Sequence, residues 1–144
     1  KTFYKRSEMT FKRQRKNIPY SFKFLENLYN NCKKKNACRI IVAKDKENNL
    51  IAGSFLIYDE TTVYYLMGGM DPNRKLLGGM NVVLLDSITF ALKNNRKFDF
   101  EGSMIESIEK YFRSFGAVQK PYYTISRVNS KILKTKRFIK DILK

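Results

Sequence analysis

Two carboxylates in the stretch KFDFEGSMIESIEKYFRSFG, residues 97–116, have the type and spacing that proton transfer needs. Asp99 and Glu101 alternate with Phe98 and Phe100, and alternate residues of an extended chain share a face, so both carboxylates are expected on one side of a strand. Either could take a proton from an attacking ammonium, and Glu101, at the strand's end, is the better placed. The same carboxylate could instead cap a neighbouring loop or pair with Arg74 or Arg96. The chain has no histidine, which removes the commonest general base and every Ser-His or Cys-His nucleophile arrangement. With only Cys32 and Cys38 besides, no zinc site of the Cys and His kind can be assembled and no metal is expected. Catalysis would have to use carboxylates, Tyr, Lys, Arg, backbone groups or the substrate itself.

A strand, Lys97 to Glu101, and an amphipathic helix must position these groups. Ser103 followed by Glu106 has the spacing of a capping box, and Gly116 sits where a left-handed C-cap residue belongs. Ile105, Ile108, Phe112 and Phe115 then form one apolar stripe on the helix. Ser103 reads as an N-cap first and a ligand second. A strand whose carboxyl end opens onto a helix N-terminus is where open α/β sheets place their ligands.

Upstream, residues 2–16 read as a helix that ends in the basic run KRQRK, and Pro19 breaks the chain. Ser21 can cap a second helix carrying Leu25, Leu28, Tyr29 and Cys32 at helical spacing. Three strands follow, Arg39 to Lys44, Leu50 to Asp59 and Val63 to Gly69, rich in β-branched and aromatic residues. Their connections, DKENN and ETT, are short and polar, which predicts an antiparallel meander, and apolar positions on both faces predict helices on both sides. After the loop MDPNRKLLGGM a long helix, Met80 to Asn94, turns Met80, Val83, Leu84, Ile88, Ala91 and Leu92 inward. This helix should carry the chain over to a strand parallel to Val63 to Gly69, placing Phe98 to Glu101 centrally. Pro121 to Arg127 alternates as one more strand. Residues 130–143 form a basic amphipathic helix that could pack on the domain, meet a neighbour or lie on an anionic membrane.

A length of 144 residues suits one domain that buries roughly 68% of its unfolded surface. The first residue is Lys1 and the N-terminal pattern begins in mid-helix, so a longer protein with a preceding part is expected. Neither a signal-peptide pattern nor a run of about 18 apolar residues is present, and the two cysteines read as reduced structural thiols in a reducing, cytoplasmic setting. The net charge of +16 and pI near 9.9 predict attraction to polyanions, although a chain rich in Lys, Asn, Ile, Tyr and Phe together also reflects AT-biased coding.

The element order resembles the GNAT acyltransferase fold without its first strand, an α/β (α+β) domain with a mixed sheet and helices on both faces. Within it, YYLMGGMDP, the GG before a long helix, FDFEGSM and the ending YFRSFGA resemble the FemAB-like branch, the peptidoglycan-type aminoacyl and acyl transferases. That resemblance covers about residues 3–127 and implies the second GNAT-like domain of a pair, residues 1–144 being the C-terminal part of a two-domain protein. It assigns donor binding to Arg74, Lys75, Gly78, Gly79 and Met80, where glycines let the backbone approach a phosphate and a helix N-terminus favours negative charge. The other reading is that Gly78 and Gly79 start the helix or let it pack closely on the sheet. At the GNAT general-acid position, four residues before Gly116, stands Phe112 in place of Tyr, and the FemAB-like aromatic and cation pair is met by Phe112 with Arg113. An Arg there could hold a phosphate or stabilise an oxyanion, or could simply pair with Glu109 for about 0.3 kcal/mol.

The resemblance thus implies N-acyl transfer from acyl-CoA or aminoacyl-tRNA to a small-molecule or peptidyl amine, with Glu101, Arg113 and Asp99 as catalytic candidates. The alternative is a non-catalytic GNAT-like module that binds RNA or a nucleotide ligand or supports a catalytic partner domain.

Overall fold

A computed structural model of the chain describes residues 2–13, 15, 17–73, 78–123, 125, 127 and 129–142, without the side chains of residues 6, 137 and 140–142. Two helices come first, α1 (Thr2–Arg13) and α2 (Phe22–Lys34). Ser21 caps α2 as expected, its Oγ accepting from Phe24 N at 3.2 Å. Strands β1 (Cys38–Lys44), β2 (Leu50–Tyr58) and β3 (Thr62–Met70) form the antiparallel meander. Helix α3 (Gly79–Lys93) crosses over to β4 (Lys97–Asp99), which pairs with β3 in parallel, Val63 opposite Phe98. The sheet order is β1-β2-β3-β4. Helices α4 (Glu106–Arg113) and α5 (Lys131–Ile142) complete the described elements.

The sheet separates two cores. On one face Ile41, Ala52, Leu56 and Val63 pack with Val83 and Ala91 of α3. On the other, Phe55 and Met67 pack with Leu25 of α2, flanked by Phe3 and Tyr4 of α1. Between β2 and α3 lies one buried polar pair, Ser54 Oγ and Ser87 Oγ at 3.0 Å, and Ser87 also donates to Val83 O at 2.6 Å. Helix α1 reaches the sheet because Gly69 has no side chain: a Cβ there would lie 2.5 Å from Ser7 N.

Strand β3 changes its alternation midway. Leu56 faces Tyr65 and Phe55 faces Met67, so Leu66 is an extra residue, a β-bulge. Before it Val63 and Tyr65 face α3, and after it both Leu66 and Met67 face α1 and α2.

Four expectations are corrected. The described residues of 121–127 form no strand: they lie outside any ladder, and Tyr122, Tyr123 and Ile125 are almost fully exposed. Alternation alone cannot make a strand without a partner to pair with, and β4 offers only three residues of edge. In consequence β4 is the sheet's edge and not its centre. The strand also stops at Asp99, since Glu101 and Gly102 take left-handed φ values of 59° and 69° that end the extended run. Leu92, expected inward, is 67% exposed.

Candidate functional site

The two strands that run parallel do so for three residues only. Thr62, Val63 and Tyr64 pair with Lys97, Phe98 and Asp99, after which β3 continues to Met70 paired only with β2 among the described residues, while the β4 segment turns away through Glu101 and Gly102. A wedge therefore opens along β3 from Tyr65 onwards, on the side where α3 begins. Aromatic rings form one wall: Phe112 of α4 lies 6.0 Å from Tyr65 edge-on and stacks on Phe100 at 4.6 Å, and Phe100 meets Phe98 at 4.9 Å. Burial, with a smaller contribution from Tyr111, pushes the Tyr65 phenol up, and its hydroxyl sits over Gly68 and 3.8 Å from Met80 Sδ.

The start of α3 separates two adjacent glycines by role. Gly78 is the N-cap residue with a left-handed φ of 64°, and among the described residues nothing lies within 4 Å of where a Cβ would stand. Gly79 is buried, and a Cβ there would meet Ile51 Cγ2 at 2.6 Å, so its hydrogen lets the helix sit down on β2. Met80 follows inside the first turn. Among the described residues that turn has no side-chain cap, and it has no acidic residue, so the first amides of α3 lack acceptors within the helix at its positive end. Such a terminus fits a phosphate-bearing group. Arg74 and Lys75 lie outside the described residues.

Helix α4 begins later than expected. Its N-cap position is Ile105, with no side-chain cap, and Ser103 Oγ instead accepts from Ile105 N at 3.1 Å. Two residues ahead of the N-cap position, Ser103 closes a local turn, and Glu106 pairs with Lys110 at 2.7 Å rather than completing a capping box. At the other end Gly116 has the left-handed φ, 84°, that its position called for.

Asp99 and Glu101 come together, but not as neighbours on one strand face. Asp99 Oδ1 accepts from Glu101 N at 2.7 Å, while Glu101 stands in the turn beyond β4, exposed. Partial burial, and secondarily the Asp99 charge, push the Glu101 carboxyl above its ordinary value. Arg113 is not joined to them: its Nε lies 2.8 Å from Glu109 Oε1, the i, i+4 pair. No hydrogen bond or ion pair between Arg113 and either carboxylate occurs among the described residues.

A contact not anticipated ties the parts together. Tyr111 Oη donates to Asn81 Oδ1 at 2.6 Å, fastening α4 to the first turn of α3, and burial pushes the Tyr111 phenol up. Thirty residues separate the partners, and no spacing rule would have paired them. The bulge at Leu66 did have a signal, the glycine pair Gly68 and Gly69 within a strand pattern.

Comparison with known proteins agrees with this architecture. Among solved structures, a mutant protein from Bacillus halodurans superposes with a TM-score of 0.59 at 14% identity, over 71% of this chain and 73% of that one. A Trypanosoma brucei acetyltransferase gives a TM-score of 0.58 at 12% identity over 78% and 83% of the two chains, and a proposed acetyl transferase from Pyrococcus furiosus gives 0.56 at 12% over 77% and 82%. At such identities the likeness shows the fold. No curated protein matches the chain. A family model described as the acetyltransferase (GNAT) domain matches residues 1–113, which contain the sheet, α3 and α4. The chain belongs to the GNAT acetyltransferase domain family.

Proposed function

We propose that this domain is an N-acyltransferase of the FemAB-like kind, the second GNAT-like domain of a two-domain cytoplasmic protein. It moves an acyl or aminoacyl group from acyl-CoA or aminoacyl-tRNA to the amine of a small molecule or peptide. The observation that carries the reading is the acid-free start of α3 at Gly78, without a side-chain cap among the described residues, beside the wedge where β3 and β4 part.

Both donors present phosphates at one end and an activated acyl carbonyl at the other. The amides of Gly78, Gly79 and Met80 would hold the phosphates, with Arg74 and Lys75 supplying charge from the preceding loop. The β3 edge beyond Tyr64 offers backbone groups to an extended donor arm, in the manner of strand addition. Glu101 would take the ammonium proton from the acceptor, and Asp99, bonded to the Glu101 amide, is a positioning residue that also keeps that carboxyl basic. The remaining acceleration would come from alignment. Arg113, its Nε held by Glu109, would have its Nη donors for anion binding.

Titration with acetyl-CoA tests this. At ten times its dissociation constant a bound donor should add about 1.4 kcal/mol to stability, and Gly78→Val, which meets no described atom but is strained at φ 64°, should lower stability and abolish binding in the fraction that folds. Unchanged affinity in folded Gly78→Val would reduce Gly78 to a helix start. Failure of the parent to bind acetyl-CoA, with aminoacyl-tRNA bound, would identify the other donor.

The second reading is a GNAT-like module without catalysis of its own, binding a nucleotide or RNA or supporting a partner domain. It is favoured by Phe112, stacked on Phe100 where the fold's acid Tyr would stand, and by Arg113 engaged with Glu109.

A further inference from the structure

The end of the sheet opposite the start of α3 holds a second feature that acyl transfer does not use. An open cleft of about 500 Å³ lies between the end of α2 (Lys35, Asn36), the turn from β2 to β3 (Asp59 to Thr61) and Arg96, which leads into β4. Strand β3 runs from this cleft, past the mouth of the wedge at Tyr65, to the start of α3, and its nine residues span roughly 30 Å at about 3.3 Å each. The two places are therefore separate.

Arg96 is the unusual member. Its guanidinium stacks over the Tyr58 ring at 4.7 Å, and its Nε is buried without a hydrogen-bond acceptor. Tyr58 in turn packs on Phe90 at 5.3 Å, a ring that joins the α3 core, and Arg39 covers Phe90 at 4.7 Å. Arg96 is thus held by a row of packed rings rather than by a carboxylate. Asp59, the nearest candidate for a counter-ion, is fully engaged: Oδ1 accepts from Thr61 N, Thr62 N and Thr61 Oγ1, and Oδ2 accepts from Tyr64 Oη. Those bonds hold its carboxyl down to about 2. Glu60 also lines the cleft, exposed, and forms no ion pair with Arg96 among the described residues.

A guanidinium that is braced on a ring, partly desolvated and in no ion pair with a carboxylate among the described residues is suited to receive an oxyanion from the cleft. We propose that this cleft is a binding site for a small oxyanion ligand, a phosphate or carboxylate group, received by Arg96 with Lys35 beside it. Because Tyr58 and Phe90 fix the fork in advance, little side-chain freedom is lost on binding. The volume admits more than a bare ion, so the anionic group would be one end of a larger small molecule, with Asn36, Thr61 and Glu60 available to its polar remainder.

The test is a two-dimensional amide NMR titration of the whole chain with inorganic phosphate, and separately with acetate, at ionic strength held constant with sodium chloride. Saturable shifts are expected at Asn36, Ala37 and Thr61, with a midpoint of their own that is independent of any response at Gly78 to Met80. Arg96→Met should weaken binding about ten-fold or more, the loss expected when a charge-assisted hydrogen bond goes, while the spectrum keeps its folded dispersion. Lys35→Ala, at an exposed position, gives a second reading of the cleft should Arg96→Met not fold, and should weaken binding to a smaller degree. Tighter binding of phosphate than acetate assigns a phosphorylated ligand, and the reverse a carboxylate. No shifts at Asn36, Ala37 and Thr61, shifts there that fail to saturate, or shifts there that persist unchanged in both variants would overturn the site.

Discussion

Replacing Gly79 by alanine tests how α3 is seated. The new Cβ would stand 2.6 Å from Ile51 Cγ2 and 3.3 Å from Ile51 Cβ, and Ile51, itself buried, is branched at that point and cannot swing a chain end aside. Overpacking of this kind costs about 1–3 kcal/mol, and the better helix propensity of alanine returns at most about 1 kcal/mol, leaving a net loss of roughly 1–2 kcal/mol. For a chain of 144 residues, with an unfolding entropy of about 2.1 cal/mol/K per residue, that lowers Tm by roughly 3–7 °C. The partner experiment is Gly78→Ala, which meets no described atom but must hold a side chain at φ 64°, for a cost of about 1–2 kcal/mol from backbone strain alone. The two mechanisms part in an Ile51→Ala background. There the obstruction is gone, so Gly79→Ala should cost nothing or even stabilise by filling space, while Gly78→Ala should cost what it did before. Urea denaturation of the four-member cycle should therefore give a coupling of roughly 1–2 kcal/mol for Gly79 with Ile51 and about zero for Gly78 with Ile51. A neutral Gly79→Ala, or a cycle in which Gly78 couples and Gly79 does not, would refute the assignment of packing to one glycine and openness to the other.

Three further outcomes are expected. Ser87 uses its proton on Val83 O and so accepts from Ser54; Ser87→Ala leaves a buried hydroxyl donor without a partner and should cost about 1–3 kcal/mol, whereas Ser54→Ala should cost less, as chemical denaturation can compare. Asp59 is held down from an ordinary 3.8 to about 2, so its contribution to the β2 to β3 turn is complete above pH 4 and fades as pH falls towards 2; the protection of the Thr61 and Thr62 amides, relative to their intrinsic exchange rate at each pH, should fall over that window, and Asp59→Asn should remove the dependence. If Glu101 is the base, kcat/KM rises with pH through a midpoint above the ordinary 4.5; Asp99→Asn removes a negative charge and moves that limb to lower pH, Glu101→Gln abolishes it, and an unmoved limb in Asp99→Asn would separate the two carboxylates.

The sheet and its crossover were legible because local rules agreed with the packing. Short polar links joined β1, β2 and β3, and a helix as long as α3 after β3 leads to a parallel neighbour, which β4 is. Ser21 announced α2 for the same reason, since the cap it forms is local. What escaped notice was set by contacts distant in sequence or by the absence of a partner. Glu101 looked like the next strand residue after Phe100, yet it occupies a left-handed turn. Pro121 to Arg127 has strand alternation and no ladder to join. Gly78 and Gly79 are the same letter twice, and only Ile51, 28 residues upstream of Gly79, distinguishes them. Arg113 illustrates the opposite case, where the simplest spacing rule, the i, i+4 pair with Glu109, describes the side chain as found.

The bulge at Leu66 gives β3 something like a reading frame. Ahead of it, odd-numbered positions face α3; behind it, Met67 and Gly69 face α1 and α2 while Gly68 and Met70 face α3. Losing Leu66 itself would restore plain alternation and leave every later residue on its own side, because Tyr65 and Met67 already oppose the consecutive residues Leu56 and Phe55. Losing a residue beyond it, Gly68, would instead reverse every later position. Met70 would then be carried into the gap that Gly69 leaves for Ser7, where even a Cβ has no room, and α1 would be pushed from the sheet. The strand can therefore shorten by one residue at the bulge and nowhere after it.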